Sequence, residues 1–119
     1  MKLTIILGDG AVYKDGVSYM GLDLSDIPSS VHALQFNDVS NNGWIEFAQD
    51  DFGEKPNNEK ITALPEWAIS ALVKWDEAKA AQEAAQAAAL IEIAIIKAQK
   101  LAAKEAAIQN SSNTNTPSV

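Results

Sequence analysis

The sequence predicts an α+β chain, in which a small antiparallel sheet packs on the start of one long C-terminal α-helix that projects and self-associates. Residues 1–65 contain short apolar or alternating segments separated by turn residues, which is typical of strands. Residues 66–109 lack glycine and proline, and 16 of these 44 residues are alanine, which favours helix throughout. Residues 110–119 are mainly serine, threonine and asparagine, a composition that predicts a disordered tail.

The first predicted strands lie on either side of a tight turn. Lys2–Leu7 is apolar and β-branched, so we expect a strand there. The dipeptide Asp15-Gly16 is the strongest hairpin signal in the chain, because both residues tolerate the positive φ angles of a two-residue turn. We therefore expect strands immediately before Asp15 and immediately after Gly16.

A second hairpin is predicted by two alternating segments. Val31–Phe36 and Trp44–Ala48 alternate between apolar and polar residues, and the stretch 41–43, Asn-Asn-Gly, has turn chemistry. The polar stretch 50–60, which contains Gly53 and Pro56, is expected to be the longest loop. The prediction is thus a sheet of four to five short strands.

The helix is expected to begin at Pro65, because proline in the first turn costs no hydrogen bond. Glu66 follows it at the positive end of the helix dipole. Helical spacing then places Trp67, Leu72 and Trp75 where they would pack on the sheet.

Beyond Glu77 the helix has a heptad pattern that predicts self-association. One seam position holds Glu77, Ala84, Ile91, Ala98 and Glu105, and the other holds Ala80, Ala87, Ala94, Leu101 and Ile108. Small residues dominate this seam, so helices can approach closely. The residues expected to carry the association are Ile91, Ala94, Ala98, Leu101 and Ile108.

Around Leu90–Ile96 the apolar side chains nearly encircle the helix, which favours a trimer or a larger assembly over a two-stranded pair. The alternative is an amphipathic helix that folds back on its own domain.

Composition excludes several classes of function. The 9 basic residues are all lysine and stand against 16 acidic ones, giving a net charge of −7. Without arginine or a positive field, binding to nucleic acid, phosphoryl transfer and binding to anionic membranes are disfavoured. With no cysteine, disulfides and thiolate metal sites are excluded. The short apolar run at the start is typical of a strand rather than a signal peptide, so we expect a protein made in the cytoplasm.

No pattern in the sequence predicts catalysis, a metal or a cofactor. The single histidine, His32, lies in an alternating strand with no second histidine to share a metal, so we expect a structural or surface role. Serines and aspartates are plentiful, but no nucleophile elbow is present. We therefore expect a protein that is not an enzyme.

One loop resembles a calcium-binding EF-hand at several positions. The stretch from Asp38 to Gln49 has oxygen-bearing side chains at loop positions one, three, five and nine and glycine at position six. Gln49 stands at position twelve, where the motif requires glutamate, and the flanking segments are predicted strands rather than helices. The favoured interpretation is a polar hairpin turn in which Gly43 supplies a positive φ.

The same segments resemble a group of small tailed-bacteriophage proteins, often grouped with tail fibre and tail fibre assembly proteins. The resemblance covers roughly residues 10–75 and follows the pattern D-G-V-x-Y-x-G-L-D-L-S, V-H-A-hydrophobic-Q-aromatic, G-x-I-E-F, P-N and L-P-x-W. These matches lie in residues 14–25, 31–36, 43–47, 56–59 and 64–67. No catalytic residue is carried over from the group.

The resemblance implies a structural component of the bacteriophage virion, located in the tail or fibre apparatus. The sheet would then dock to another phage structural protein, and the helices would bundle as a trimeric connector. One alternative is a tail fibre assembly chaperone, which would be absent from the finished particle. Another is an acidic inhibitor of a host protein, which the net charge of −7 would suit.

Overall fold

The computed structural model describes residues 1–114, and the side chains of residues 1–109. It contains an antiparallel sheet and one long helix, which confirms the predicted α+β class. In chain order the elements are β1 Lys2–Ile6, β2 Ala11–Lys14, β3 Val17–Tyr19, β4 Val31–Asn37, β5 Asn42–Phe47, β6 Glu59–Ile61 and α1 Glu66–Thr114.

The sheet has six strands in the order β3-β2-β1-β4-β5-β6, and every neighbouring pair is antiparallel. β1 is central and pairs with both β2 and β4. The prediction of four to five strands was too low, because β6 begins within the segment expected to be a loop. A three-residue strand shows too little alternation to be detected, and its pairing with β5 creates it.

The predicted hairpins are confirmed, although one of the turns has a different chemistry. Asp15 and Gly16 have φ angles of 50° and 83°, as the turn between β2 and β3 requires. In the β4–β5 turn the positive φ belongs to Asn41, at 48°, and not to Gly43. The expectation that Gly43 supplies this angle was therefore wrong.

Gly43 is instead required by close packing between strands. A Cβ atom at this position would lie 2.2 Å from the carbonyl oxygen of Gln35 and 2.8 Å from the Cα of Phe36. Both contacts are with backbone atoms of β4, which cannot move aside as a flexible side chain could. Only glycine fits opposite Phe36 at this point of the ladder.

The core lies on one face of the sheet. Val12, Ile5, Leu34 and Ile45 are cross-strand neighbours on β2, β1, β4 and β5, and all are buried. Further core side chains come from the loop between β3 and β4 and from the start of the helix: Leu24, Ile27, Ala68, Ala71 and Trp75. The alternation of the strands therefore buries one face against the helix.

The start of the helix differs slightly from expectation. The carbonyl of Pro65 accepts hydrogen bonds from the amides of Ala68 and Ile69, at 3.0 and 3.2 Å, so Pro65 is the cap and Glu66 the first helical residue. Trp75 belongs to the core, while Trp67 and Leu72 are half-buried and pack against it. The helix was expected to end at Gln109, and it includes Thr114, the last residue that the structure describes. Residues 115–119 of the predicted tail lie outside the described residues, and the tail itself stays a prediction.

Trp75 attaches the helix to the β2–β3 hairpin. Its indole N–H donates a hydrogen bond of 3.0 Å to the carbonyl of Val17. Its ring meets that of Tyr19 edge-on, with centroids 5.5 Å apart, and the Lys14 ammonium lies 4.9 Å from the indole centroid. Lys14 also forms an ion pair of 3.7 Å with Asp76. One buried side chain thus combines apolar burial, a hydrogen bond and a cation–π contact.

The chain divides into two compact units, Met1–Ala80 and Ala81–Val119. The first contains the sheet and the beginning of the helix. Of the second, the described part is the helix from Ala81 to Thr114, which we call the distal helix.

Candidate interaction sites

The distal helix presents a band of exposed large apolar side chains. Leu90 and Ile91 are 67% and 62% exposed. Ile93, Ile95 and Ile96 are also exposed, and these five residues form the apolar band. Soluble proteins seldom leave so many clustered isoleucine and leucine side chains in water, so a contiguous apolar patch of this kind indicates an interaction site.

The residues predicted to carry self-association lie along one stripe of this helix. Ile91 and Leu101 are both exposed, and Ile108, also exposed, lies about two turns beyond Leu101. Ala94 and Ala98 complete the stripe and are exposed as well. Because small and large residues mix along it, a second helix could approach closely at the alanines.

Charge is distributed unevenly along the same helix. Residues 81–92 contain two glutamates, Glu83 and Glu92, and no lysine, giving a net charge of −2. Residues 93–109 contain three lysines, Lys97, Lys100 and Lys104, and one glutamate, giving a net charge of +2. The apolar band therefore lies where an acidic half meets a basic half.

The second candidate site is the face of the sheet opposite the helix, which we call the open face. Its residues include a row that crosses all six strands in register. None of the residues in this row is buried, and in sheet order they are Ser18, Tyr13, Thr4, Gln35, Trp44 and Lys60. The row combines hydroxyl, amide and ammonium groups with two aromatic rings, and aromatic residues are enriched at protein interfaces.

A groove of about 320 Å³ lies beside this row, around Trp44. Lys2, Gln35, Asn37 and Asn42 contribute polar groups to its lining. Trp44 is 37% exposed, so part of its indole ring is available to a partner. Leu3 and Phe36 also line the groove, so its walls are both polar and apolar, and no buried acid or base lies among its lining residues.

The described titratable side chains are neither buried nor clustered. Among residues 1–109 no polar or charged side chain is buried, so no titratable group sits in a low-dielectric environment. In the same part of the chain no group of three or more histidine, cysteine, aspartate or glutamate residues is placed to hold a metal ion. His32 is exposed, at the irregular pairing of β4 with β5.

The stretch that resembles an EF-hand, residues 38–49, contains the turn between β4 and β5 and the whole of β5. Its first residue, Asp38, accepts a hydrogen bond from the amino group of Met1. That contact raises the pKa of the amino group, chiefly through the hydrogen bond itself. Strand β4 precedes this stretch and no helix follows it before Glu66, so the two flanking helices that the calcium motif requires are not formed.

A second exposed carboxylate has a perturbed pKa. The pKa of Asp23 is lowered, chiefly by hydrogen bonding to Ser25, whose amide lies 3.1 Å from the carboxylate, and further by the charge of Lys74. Lys74 also donates to the carbonyl of Asp23 and pairs with Asp26 at 3.6 Å. These contacts tie the loop after β3 to the helix, and their role is structural.

Within residues 1–114, no helix combines the length and apolarity needed to cross a membrane. Comparison of the chain with protein-family models, with curated proteins and with solved structures finds no match.

The sequence predicted one of these two candidate sites, the association stripe, but not the residues of the other. The association stripe follows from heptad spacing within a single helix. The open-face row joins residues from six different strands, so it depends on cross-strand register that no local pattern contains. One local signal for this row was available in the alternation of β5. Trp44 falls between the buried positions of Gly43 and Ile45, which places it on the opposite face of the sheet.

Proposed function

We propose that this chain is a non-catalytic assembly protein whose distal helix joins copies of the chain and whose sheet docks to a larger partner. The observation that carries the proposal is the apolar band on the distal helix, where every described side chain from Ala81 to Gln109 is exposed. Full burial of one leucine or isoleucine side chain contributes about 1.5–3 kcal/mol. Five such residues provide a substantial driving force for association.

The open face supports the docking part of the proposal. The helix covers one face of the sheet, so the other remains for a partner within the first unit. Trp44 and Tyr13 are the residue types that most often anchor protein interfaces, and the surrounding amides can form hydrogen bonds at the rim.

The resemblance to small tailed-bacteriophage proteins extends the proposal to a particular setting. In that setting the chain is a virion component of the tail or fibre apparatus, and its partners are other phage structural proteins. Mass spectrometry of purified particles tests this extension. Peptides of the chain in the particle support a virion component, whereas their absence, with a complex formed only in infected cells, supports an assembly chaperone.

Self-association is tested by measuring the mass in solution by light scattering. We expect the full chain to be an oligomer and the double variant Ile91→Asp with Leu101→Asp to be a monomer, because two carboxylates would have to be buried in the seam. Tryptophan fluorescence of the variant should be unchanged, since all three tryptophans lie in the first unit.

A matched control is the double variant Gln86→Asp with Gln99→Asp, which adds the same charge to the same helix outside the seam. We expect it to remain an oligomer. If the full chain is a monomer at all accessible concentrations, the assembly proposal is wrong. The apolar band would then be a site for a different protein, as a chaperone or an inhibitor requires.

A further inference from the structure

We propose that two copies of the distal helix pair in antiparallel orientation, about a two-fold axis that passes between Glu92 and Ile93. This inference rests on the proposed self-association and specifies its geometry. It follows from the order of charges and from the sizes of the residues along the exposed stripe.

The charge order favours the antiparallel arrangement. The acidic half, residues 81–92, has a net charge of −2, and the basic half, residues 93–109, has a net charge of +2. Antiparallel helices centred between Glu92 and Ile93 place the acidic half of each copy beside the basic half of the other. Parallel helices in register would instead place like charges together.

The same centre also aligns the stripe so that large residues meet small ones. Ala84 then lies opposite Leu101 of the second copy, and Ile91 lies opposite Ala94 of the second copy. Ala87 and Ala98 face each other and allow close approach of the backbones. Alternation of large and small residues across facing positions fills space without voids or overlap.

One specific ion pair follows from this alignment. Glu83 and Lys104 occupy the positions that flank the seam, and in the antiparallel arrangement each faces the other across the interface. The two-fold axis makes the pair occur twice. An exposed pair contributes about 0.2–1 kcal/mol, so the apolar layers supply most of the affinity and the charges choose the orientation.

Parallel pairing of the two helices would create unfavourable contacts between the seam residues of the two copies. Each seam residue would face its own copy, so Glu105 would lie against Glu105 and Glu77 against Glu77, burying like charges together. The flanking Lys97 and Lys104 would face Ala102 and Gln109, which carry no opposite charge. Antiparallel pairing implies an even number of copies, in contrast to the trimer expected from sequence.

Ile93 and Ile96 lie outside this two-stranded seam. A pair of helices leaves them exposed, and packing of two pairs into a four-helix bundle would cover them. The mass from light scattering therefore distinguishes a dimer from a tetramer. The helices of each pair are antiparallel in both cases.

The absence of cysteine in this chain provides a direct test by disulfide exchange. Full-length Ala87→Cys and Ala98→Cys chains are prepared separately, and one carries a mass tag. The two are mixed in a glutathione buffer and analysed by mass spectrometry. We expect the main cross-linked product to contain one chain of each kind, because the two positions face each other across the seam.

Each single variant alone should cross-link poorly in the antiparallel arrangement. Its two thiols would be offset by 11 residues along the axis, about 16 Å, whereas a disulfide needs Cα atoms roughly 4.4–6.8 Å apart. The matched control is a mixture of Ala89→Cys and Ala103→Cys chains, whose alanines lie on the outer side of the helix and should not cross-link.

The outcomes separate the inference from the proposed function. An oligomer in which Ala98→Cys cross-links efficiently with itself overturns the antiparallel inference and leaves the assembly proposal intact. An oligomer without the mixed product likewise overturns the inference. A monomer by light scattering overturns both.

Discussion

The first unit and the distal helix contain similar apolar residues but place them differently. Within Met1–Ala80, 14 hydrophobic residues are buried, from Leu3 in the central strand to Trp75 in the helix. On the distal helix none of the described residues is buried, and seven leucine and isoleucine side chains are exposed. The difference is one of topology, because a single helix has no second surface in its own unit on which to bury an apolar band.

The contrast indicates two different sources of order. The sheet unit obtains its stability from burial within the chain, so its unfolding should be independent of concentration. The distal helix obtains its local stability from alanine-rich backbone propensity, and its apolar band gains free energy only when another surface covers it.

The largest effect is expected at Trp75. Replacement of Trp75 by alanine removes a buried ring, the hydrogen bond to Val17 and the edge-on contact with Tyr19. We expect a loss of about 3–5 kcal/mol in the free energy of unfolding. Chemical denaturation followed by the fluorescence of the remaining tryptophans measures it.

Trp44→Ala is the matched control, because it removes the same side chain from the open face. We expect a much smaller loss, since the indole is partly exposed and lies outside the core. Equal losses at Trp44 and Trp75 would contradict the assignment of the core to the helix-covered face.

The next largest loss in the free energy of unfolding is expected at Gly43. Its replacement by alanine would place a methyl group against the backbone of Gln35 and Phe36, so the strands must separate. We expect a cost of about 1–3 kcal/mol or more. Gly8→Ala is the control, because nothing lies within 4 Å of its Cβ position, and a similar cost at Gly8 would refute the packing explanation.

Dilution should affect the thermal stability of the distal helix but not that of the first unit. For a dimer, each tenfold dilution reduces the free energy of association by about 1.4 kcal/mol. We expect thermal melting of the helical far-ultraviolet signal to shift to lower temperature on dilution. The tryptophan transition of the first unit should not move, and a concentration-dependent fluorescence transition would contradict the comparison.

The smallest effect on stability is expected from the ionisation of Asp23. Its pKa in the folded chain is lowered below the ordinary value of 3.8, chiefly by hydrogen bonding to Ser25. Because the folded form favours the ionised carboxylate, this contribution to stability is present above pH 3.8 and is lost as the pH falls through the lowered pKa.

Replacement of Ser25 by alanine removes the hydroxyl group but keeps the backbone amide, so we expect the pKa of Asp23 to rise part of the way toward its ordinary value. Titration of the carboxyl carbon by NMR measures the shift. Asp23→Asn should flatten the acid side of the stability curve, and an unchanged curve would contradict the linkage.

Much of the fold could be predicted from local sequence signals. Asp15-Gly16 sets a hairpin because both residues adopt positive φ, and the alternation of Val31–Phe36 marks a strand with one buried face. The helix start near Pro65 and the long alanine-rich run depend on backbone properties of adjacent residues. The association stripe was also predicted from a local pattern, the heptad spacing within one helix, and its role in self-association stays a prediction.

Other features were decided only by tertiary structure. β6 exists because β5 offers it a pairing edge, and Gly43 is required because β4 passes too close for any side chain. Ala68 is fully buried although Trp67 is the more apolar neighbour, since the docking angle of the helix determines which face meets the sheet. The sequence by itself determined the elements with local periodicity. Strand order, register and the open-face row needed the folded chain, because they bring together residues that are distant in sequence.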